Sequence, residues 1–371
     1  MDTLVCPVCE SSSIYSHTGV YVICDSCGEE SYIAIEDCRE SAEKGDRIAQ
    51  SILGAHYFGE EEEPENHELA LQWLTKSLEQ GYPPAYRHFG YMYLEGLGVE
   101  RDIRKCHAYY MAGAEKDDLY CIYNTGIVYL RHTDDHAAAI PYLRKAAERG
   151  LTEAQTQLAQ CYYRGMGIER DHRQTLAWAE PAARNGSPLA QFYLGLLHEE
   201  GAVVELDMEQ ALHWYEQAAE GGEHRAMSRM AYYYGEGEYV EKDLDKSFAL
   251  NLAAAEKGDL DAQCNLAWYY EAGIGCAPDP EEAFYWYKTA AENGFNRGMY
   301  LTGGCYMEGT GVETDLYEAA RWFALAVENG YDDAQKQLDW VSEQLALQEE
   351  EEDAAPAKKG LGFLKKLWPS K

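Results

Sequence analysis

Glycine returns every 36 residues from residue 150 onward: Gly150, Gly186, Gly222, Gly258, Gly294 and Gly330. Each closes a helical run, such as KAAERG, PAARNG, AAAEKG or ALAVENG. A fixed period between about 20 and 50 residues marks a repeat architecture, in which no unit can bury its apolar face alone. Such a chain grows lengthwise around one continuous core, so its 371 residues do not imply two or three ordinary domains. The period divides the chain into units at about 46–81, 82–117, 118–150, 151–186, 187–222, 223–258, 259–294 and 295–330. A lone helix follows at about 332–348. The second unit has Asp117 at its closing position, and the third is three residues short.

Within a unit, the first helix carries small and large apolar residues on one face. These are Ala154, Leu158, Ala159 and Tyr162 in the fourth unit, and Ala262, Leu266, Ala267 and Tyr270 in the seventh. The loops GLGVERD (96–102), GMGIERD (165–171), GIGCAPD (273–279) and GTGVETD (309–315) follow. Their first glycine can end the helix in the left-handed region. Their terminal aspartate, at Asp102, Asp171, Asp207, Asp243, Asp279 and Asp315, is placed to cap the second helix. Ala211, Trp214 and Ala218, like Ala283, Trp286 and Ala290, then face the core.

The succession A-x3-L-G/A-x2-Y, G-x-G-x3-D and A-x2-W-Y-x-x-A-A-x-x-G resembles Sel1-like repeats, relatives of the tetratricopeptide repeat, over most of the chain. The resemblance implies an all-α solenoid of about eight helix pairs, a right-handed superhelix that scaffolds protein assemblies and holds ligands on its concave face. Two loops depart from the pattern: Glu60–Pro64 replaces the glycines in the first unit, and Arg131-His132-Thr133 in the third.

If the first helices line the concave side, three registers point into the groove. They place Tyr163, Phe192, Glu199, Tyr232, Trp268, Glu271 and Tyr300 there as an aromatic stripe flanked by carboxylates. Aromatic anchors with acidic neighbours suit an extended or helical basic peptide, Glu199 and Glu271 holding its Lys or Arg. The same aromatics also suit packing between adjacent repeats, and the sequence leaves both roles open.

Residues 1–40 form a separate module. Cys6-Pro-Val-Cys9 and Cys24-Asp-Ser-Cys27 give two C-x2-C pairs, a spacing that suits a structural tetrahedral Zn²⁺. With short strands at Tyr21–Ile23 and Ser31–Ile35, the segment resembles a zinc ribbon, a small β module preceding the solenoid. His17 and Cys38 are bystanders in this reading, because four thiolates close the shell.

A formal net charge of −34 repels phosphate backbones, so nucleic acid is not an expected partner, whereas a basic protein or peptide is. Residues 349–371 pass from an acidic linker to KKGLGFLKKLWPSK. There Leu361, Phe363, Leu364, Leu367 and Trp368 can share one helical face among lysines, as a docking element for a partner, for the chain's own acidic surface or for an anionic membrane surface. MDTLVCPVCE has neither the basic nor the apolar region of a secretory signal, so a cytoplasmic, reducing location is expected.

Catalytic patterns are weak. Ser41-Ala42-Glu43-Lys44 matches S-x-x-K but lacks its companion motifs, and the Gly-x-Gly loops do not follow strands. The expectation is a non-enzymatic scaffold. The alternatives are an enzyme or regulator of cell-envelope metabolism and a membrane-tethered adaptor using the tail.

Overall fold

A computed structural model of the chain describes residues 14–16, 21–24, 30–32, 35–59 and 64–354. Among these, three short strands, β1 (Ile14–Ser16), β2 (Tyr21–Cys24) and β3 (Glu30–Tyr32), form an antiparallel sheet in the order β1-β2-β3. Ile14 lies opposite Cys24, and Tyr21 opposite Tyr32. β1 was not legible from the sequence. The expected second strand ends early, because α1 (Ile35–Glu43) takes over its last residue.

Helices fill the rest of the described chain. α1 packs on α2 (Arg47–Gly59), which pairs with α3 (Pro64–Glu79). The following pairs are α4 (Pro83–Glu95) with α5 (Ile103–Glu115), α6 (Leu119–His132) with α7 (His136–Glu148), and α8 (Thr152–Arg164) with α9 (His172–Arg184). α10 (Pro188–Glu200) and α11 (Met208–Glu220) come next in the chain, followed by the pairs α12 (His224–Glu236) with α13 (Leu244–Glu256), α14 (Leu260–Ala272) with α15 (Pro280–Glu292), and α16 (Asn296–Glu308) with α17 (Leu316–Glu328). A longer helix, α18 (Ala334–Ala354), packs on α17. None of the helices is long and apolar enough to cross a membrane among the described residues.

The cap aspartates form as the loop sequence dictates. Asp102 accepts from the backbone N–H groups of Arg104 and Lys105 at 3.0 and 3.1 Å, and Asp171, Asp207, Asp243, Asp279 and Asp315 do the same for their helices. Each satisfies donors that the first turn leaves unpaired. In the short third unit, α6 runs on through Arg131 and His132, Thr133 donates back to the Tyr129 carbonyl, and Asp135 supplies the cap. Asp117 adopts the left-handed φ of the glycine it replaces, and Lys145 pairs with its carboxylate at 2.6 Å.

The chain divides into two compact units, 1–197 with 201–205 and 198–200 with 206–371. In the first, Leu143, Leu158, Cys161 and Tyr162 belong to one buried cluster, together with Ile122 and Ala154. Another joins Cys38 and Ala42 of α1 to Ile52 and Leu53 of α2, so α1 caps the repeat stack rather than belonging to the strand module. In the second unit, Leu266, Ala262 and Met227 form one cluster, and Phe323, Trp322, Met299 and Val341 another. A leucine buried as fully as Leu158 contributes roughly 1.5–3 kcal/mol by leaving water.

The second-helix core differs from expectation in one respect. Tyr215 and Tyr287 are buried, whereas Trp214 and Trp286, expected in the core, are partly buried, Trp286 packed against the clusters of Ala283 and Leu266. Tyrosine stands four residues after the leading alanine and three before the next, which keeps all three side chains on the buried stripe.

Candidate functional site

In four pairs the first helix presents a glycine to a bulky side chain of the second: Gly54 to Leu74, Gly90 to Tyr110, Gly126 to Leu143 and Gly303 to Phe323. A Cβ on Gly303 would stand 2.8 Å from the Phe323 ring, and one on Gly54 would stand 2.6 Å from Leu74. These distances are too short for a real side chain, so the small residue is what lets the helices approach. One turn further along the first helix, a second residue belongs to the same contact. In the last pair this is Met307, packed in one cluster with Phe323.

At two places in the second unit the corresponding contact is polar. Glu271 accepts from the Tyr287 hydroxyl at 3.1 Å. Glu199 accepts from the Tyr215 hydroxyl through one oxygen. Its other oxygen accepts from the Tyr233 hydroxyl at 2.9 Å and from the Arg229 guanidinium at 3.2 Å. Burial, reinforced by the adjacent Glu199 carboxylate, pushes the Tyr215 and Tyr233 hydroxyls above the usual tyrosine range, so both stay protonated donors. Between these pairs, Gly235 stands where the neighbours carry glutamate, and the Tyr269 hydroxyl is shared with Ser247 at 2.7 Å instead.

The expected groove residues therefore separate into three groups. Tyr232 and Trp268, 36 residues apart on α12 and α14, are 51% and 50% exposed. Two rings of this size on one register of successive first helices form an open aromatic stripe. Arg229 lies one turn before Tyr232 on α12, and Arg297, on α16, donates to Asn265 at 3.2 Å. Tyr163 and Tyr300 are half-buried. Tyr163 packs against Tyr193 and His172, and Tyr300 packs against Phe323 and Tyr331 while its hydroxyl accepts from Gln337 at 3.1 Å. Phe192, expected to line the groove, is only 6% exposed and takes the packing role instead. Glu199 differs from expectation as well: both its oxygens are already engaged by its own repeats. Glu271 remains exposed, with one oxygen receiving the Tyr287 hydroxyl.

Of the expected zinc ligands, Cys24 ends β2, while Cys6, Cys9 and Cys27 lie outside the described residues. The tail residues Leu361, Phe363, Leu364, Leu367 and Trp368 lie outside them too. Among the described residues, no group of three or more His, Cys, Asp or Glu side chains is arranged to hold a metal. Cys38, Cys106, Cys264 and Cys305 are buried, and desolvation pushes their thiols up to about 12, which keeps them from acting as thiolate nucleophiles or ligands. Lys44, of the S-x-x-K match, pairs with Glu40 at 2.8 Å.

The family model described as "Sel1 repeat" matches eight consecutive stretches, 47–82, 83–118, 121–151, 152–187, 188–223, 224–259, 260–295 and 296–331. The chain belongs to the Sel1-repeat family. Sel1-repeat proteins are protein–protein interaction scaffolds, and the solenoid is typical of non-enzymatic adaptors. Among solved structures, it is similar to c5321, a protective antigen of uropathogenic Escherichia coli strains, at 30% identity and a TM-score of 0.60, covering 84% of this chain and 68% of that one. It is also similar to a Sel1 repeat protein from Oxalobacter formigenes, at 33% identity and a TM-score of 0.55, covering 72% of this chain and 78% of that one. A curated relative is the Arabidopsis thaliana ERAD-associated E3 ubiquitin-protein ligase component HRD3B, 34% identical over 94 residues, which are 25% of this chain and 14% of that protein. An uncharacterized protein of Neisseria meningitidis is 28% identical over 169 residues, spanning 36% of each chain. The chain thus spans only 14% and 36% of the lengths of these curated relatives.

Proposed function

We propose that the protein is a scaffold that takes a basic polypeptide segment along its first-helix face, with Tyr232 and Trp268 as anchors. The half-exposure of these two rings, one repeat apart, is the observation that carries the reading. Large aromatics held on rigid helices supply contact area at little entropic cost, which is why they dominate binding surfaces. The preference for a basic segment comes from the chain-wide charge of −34 and from the exposed Glu271, since Glu199 is occupied. Tyr300, on the next first helix of the same unit, borders the stripe.

Selection of displayed peptides on the full chain tests this. Lys- or Arg-rich sequences are expected, and Trp268→Ala with Tyr232→Ala should weaken the selected peptides at least tenfold, about 1.4 kcal/mol. Equal affinity for the double variant, with unchanged helical circular dichroism, contradicts the reading.

The N-terminal segment holds a structural Zn²⁺ on Cys6, Cys9, Cys24 and Cys27. The donor set is four thiols at ligand spacing, and the antiparallel sheet that ends β2 at Cys24 supports a knuckle there. Cytoplasmic residence suits these thiols, and all seven cysteines among the described residues that lie in the helical region are free. Metal analysis of the purified chain should find zinc that Cys24→Ser releases.

A further inference from the structure

A cleft in the second unit arises from one loop residue. In the glycine loops, the second glycine lies flush against the start of the preceding second helix. Gly275 adopts a left-handed φ of 69°, and a Cβ there would meet the Leu244 carbonyl at 3.0 Å. At Gly311 a Cβ would overlap the Pro280 carbonyl outright. The loop GEYVEKD (237–243) carries Tyr239 at this place, with the same left-handed φ of 61°. A tyrosine cannot lie flush where a Cβ has no room, so the loop stands off from α11.

The gap is a cavity of about 630 Å³ lined by Met208, Leu212, Met230, Tyr239 and Val240. A second cavity of about 940 Å³ adjoins it and shares Tyr234 and Val240. Tyr239 is 67% exposed and Leu206, at the end of the preceding loop, is 66% exposed. Carboxylates surround this apolar floor: Glu209 and Glu216 in the first cavity, Glu241 and Asp245 in the second. Of the two lysines there, Lys246 donates to the Tyr234 hydroxyl, which leaves Lys242 as the other cation among the lining residues.

We infer that this cleft receives the chain's own C-terminal segment, residues 358–368. The argument is complementarity. The last sixteen residues carry five lysines and no carboxylate side chain, in a chain with 65 acidic and 31 basic residues. Leu361, Phe363, Leu364, Leu367 and Trp368 supply apolar groups for the floor, and Lys358, Lys359, Lys365 and Lys366 supply cations for the rim. The segment follows α18, which belongs to the same unit as the cleft. This surface is distinct from the first-helix stripe and does not depend on it.

The test is Tyr239→p-benzoylphenylalanine in the full chain, with photo-crosslinks mapped by mass spectrometry. The same probe at Tyr317, an exposed tyrosine of the same unit, is the control. Crosslinks from position 239 should fall within 358–368, at least tenfold above those from position 317. Leu364→Asp with Trp368→Asp should abolish them, and added salt should weaken them. Gel mobility of the crosslinked species tells whether the segment comes from the same copy or a second one, either of which supports the docking. Equal yields from both positions, or a segment captured only by anionic vesicles with no crosslink at position 239, overturn the inference.

Discussion

In the last helix pair, Phe323 lies over Gly303 with Met307 in the same cluster; in the seventh pair, Tyr287 takes the place of Phe323 and Glu271 that of Met307. The fifth pair repeats the polar version with Tyr215 and Glu199. In these three pairs a carboxylate stands only where the facing ring carries a hydroxyl, although in the second pair Tyr110 lies over Gly90 with Leu94 beside it. A buried tyrosine hydroxyl left without an acceptor costs far more than the net gain of the bond itself, which gives the carboxylate its place beside Tyr215 and Tyr287.

The largest effect expected from breaking this comparison is Phe323→Ala. It removes a fully buried ring over a glycine that cannot fill the space, and should cost about 3–5 kcal/mol in denaturant unfolding. Met307→Glu alone puts a carboxylate beside a ring that has no hydroxyl and should cost roughly 1–3 kcal/mol. Adding Phe323→Tyr should recover part of that loss, with a coupling of about 0.5–3 kcal/mol in a double-mutant cycle. Additive behaviour would show that the two positions are independent. Asp315→Ala leaves the start of α17 uncapped and should cost about 1 kcal/mol, as it would in either kind of pair.

The period, the glycine turns and the cap aspartates were legible because each answers a local backbone requirement. The identity of the buried second-helix residue was not. Trp214 and Tyr215 both lie on a helical face with Ala211 and Ala218, and only the opposing first helix decides that Tyr215 goes inward. The exposed aromatic stripe was legible in part for the same reason. Phe192 and Tyr232 stand on adjacent edges of the first helices, both edges carry aromatics, and the packing of neighbouring repeats buries one edge and leaves the other open. Glu199 looked like a free anchor because its partners, Tyr215, Arg229 and Tyr233, lie 16 to 34 residues away. The cleft at Tyr239 left a trace in the sequence, since a tyrosine stands where four sister loops have glycine, but its consequence follows only from the approach distances at those glycines.

Hydroxyl-radical footprinting of the full chain, alone and with a selected peptide, tests the central claim most directly, because similarly exposed aromatics lie on both kinds of helix. Tyr232 and Trp268 belong to first helices, and Tyr285 and Tyr317 to second helices. The account predicts that bound peptide slows oxidation of Tyr232 and Trp268 severalfold and leaves Tyr285 and Tyr317 unchanged. Protection of the second-helix pair, with Tyr232 and Trp268 oxidised as fast as before, would contradict it.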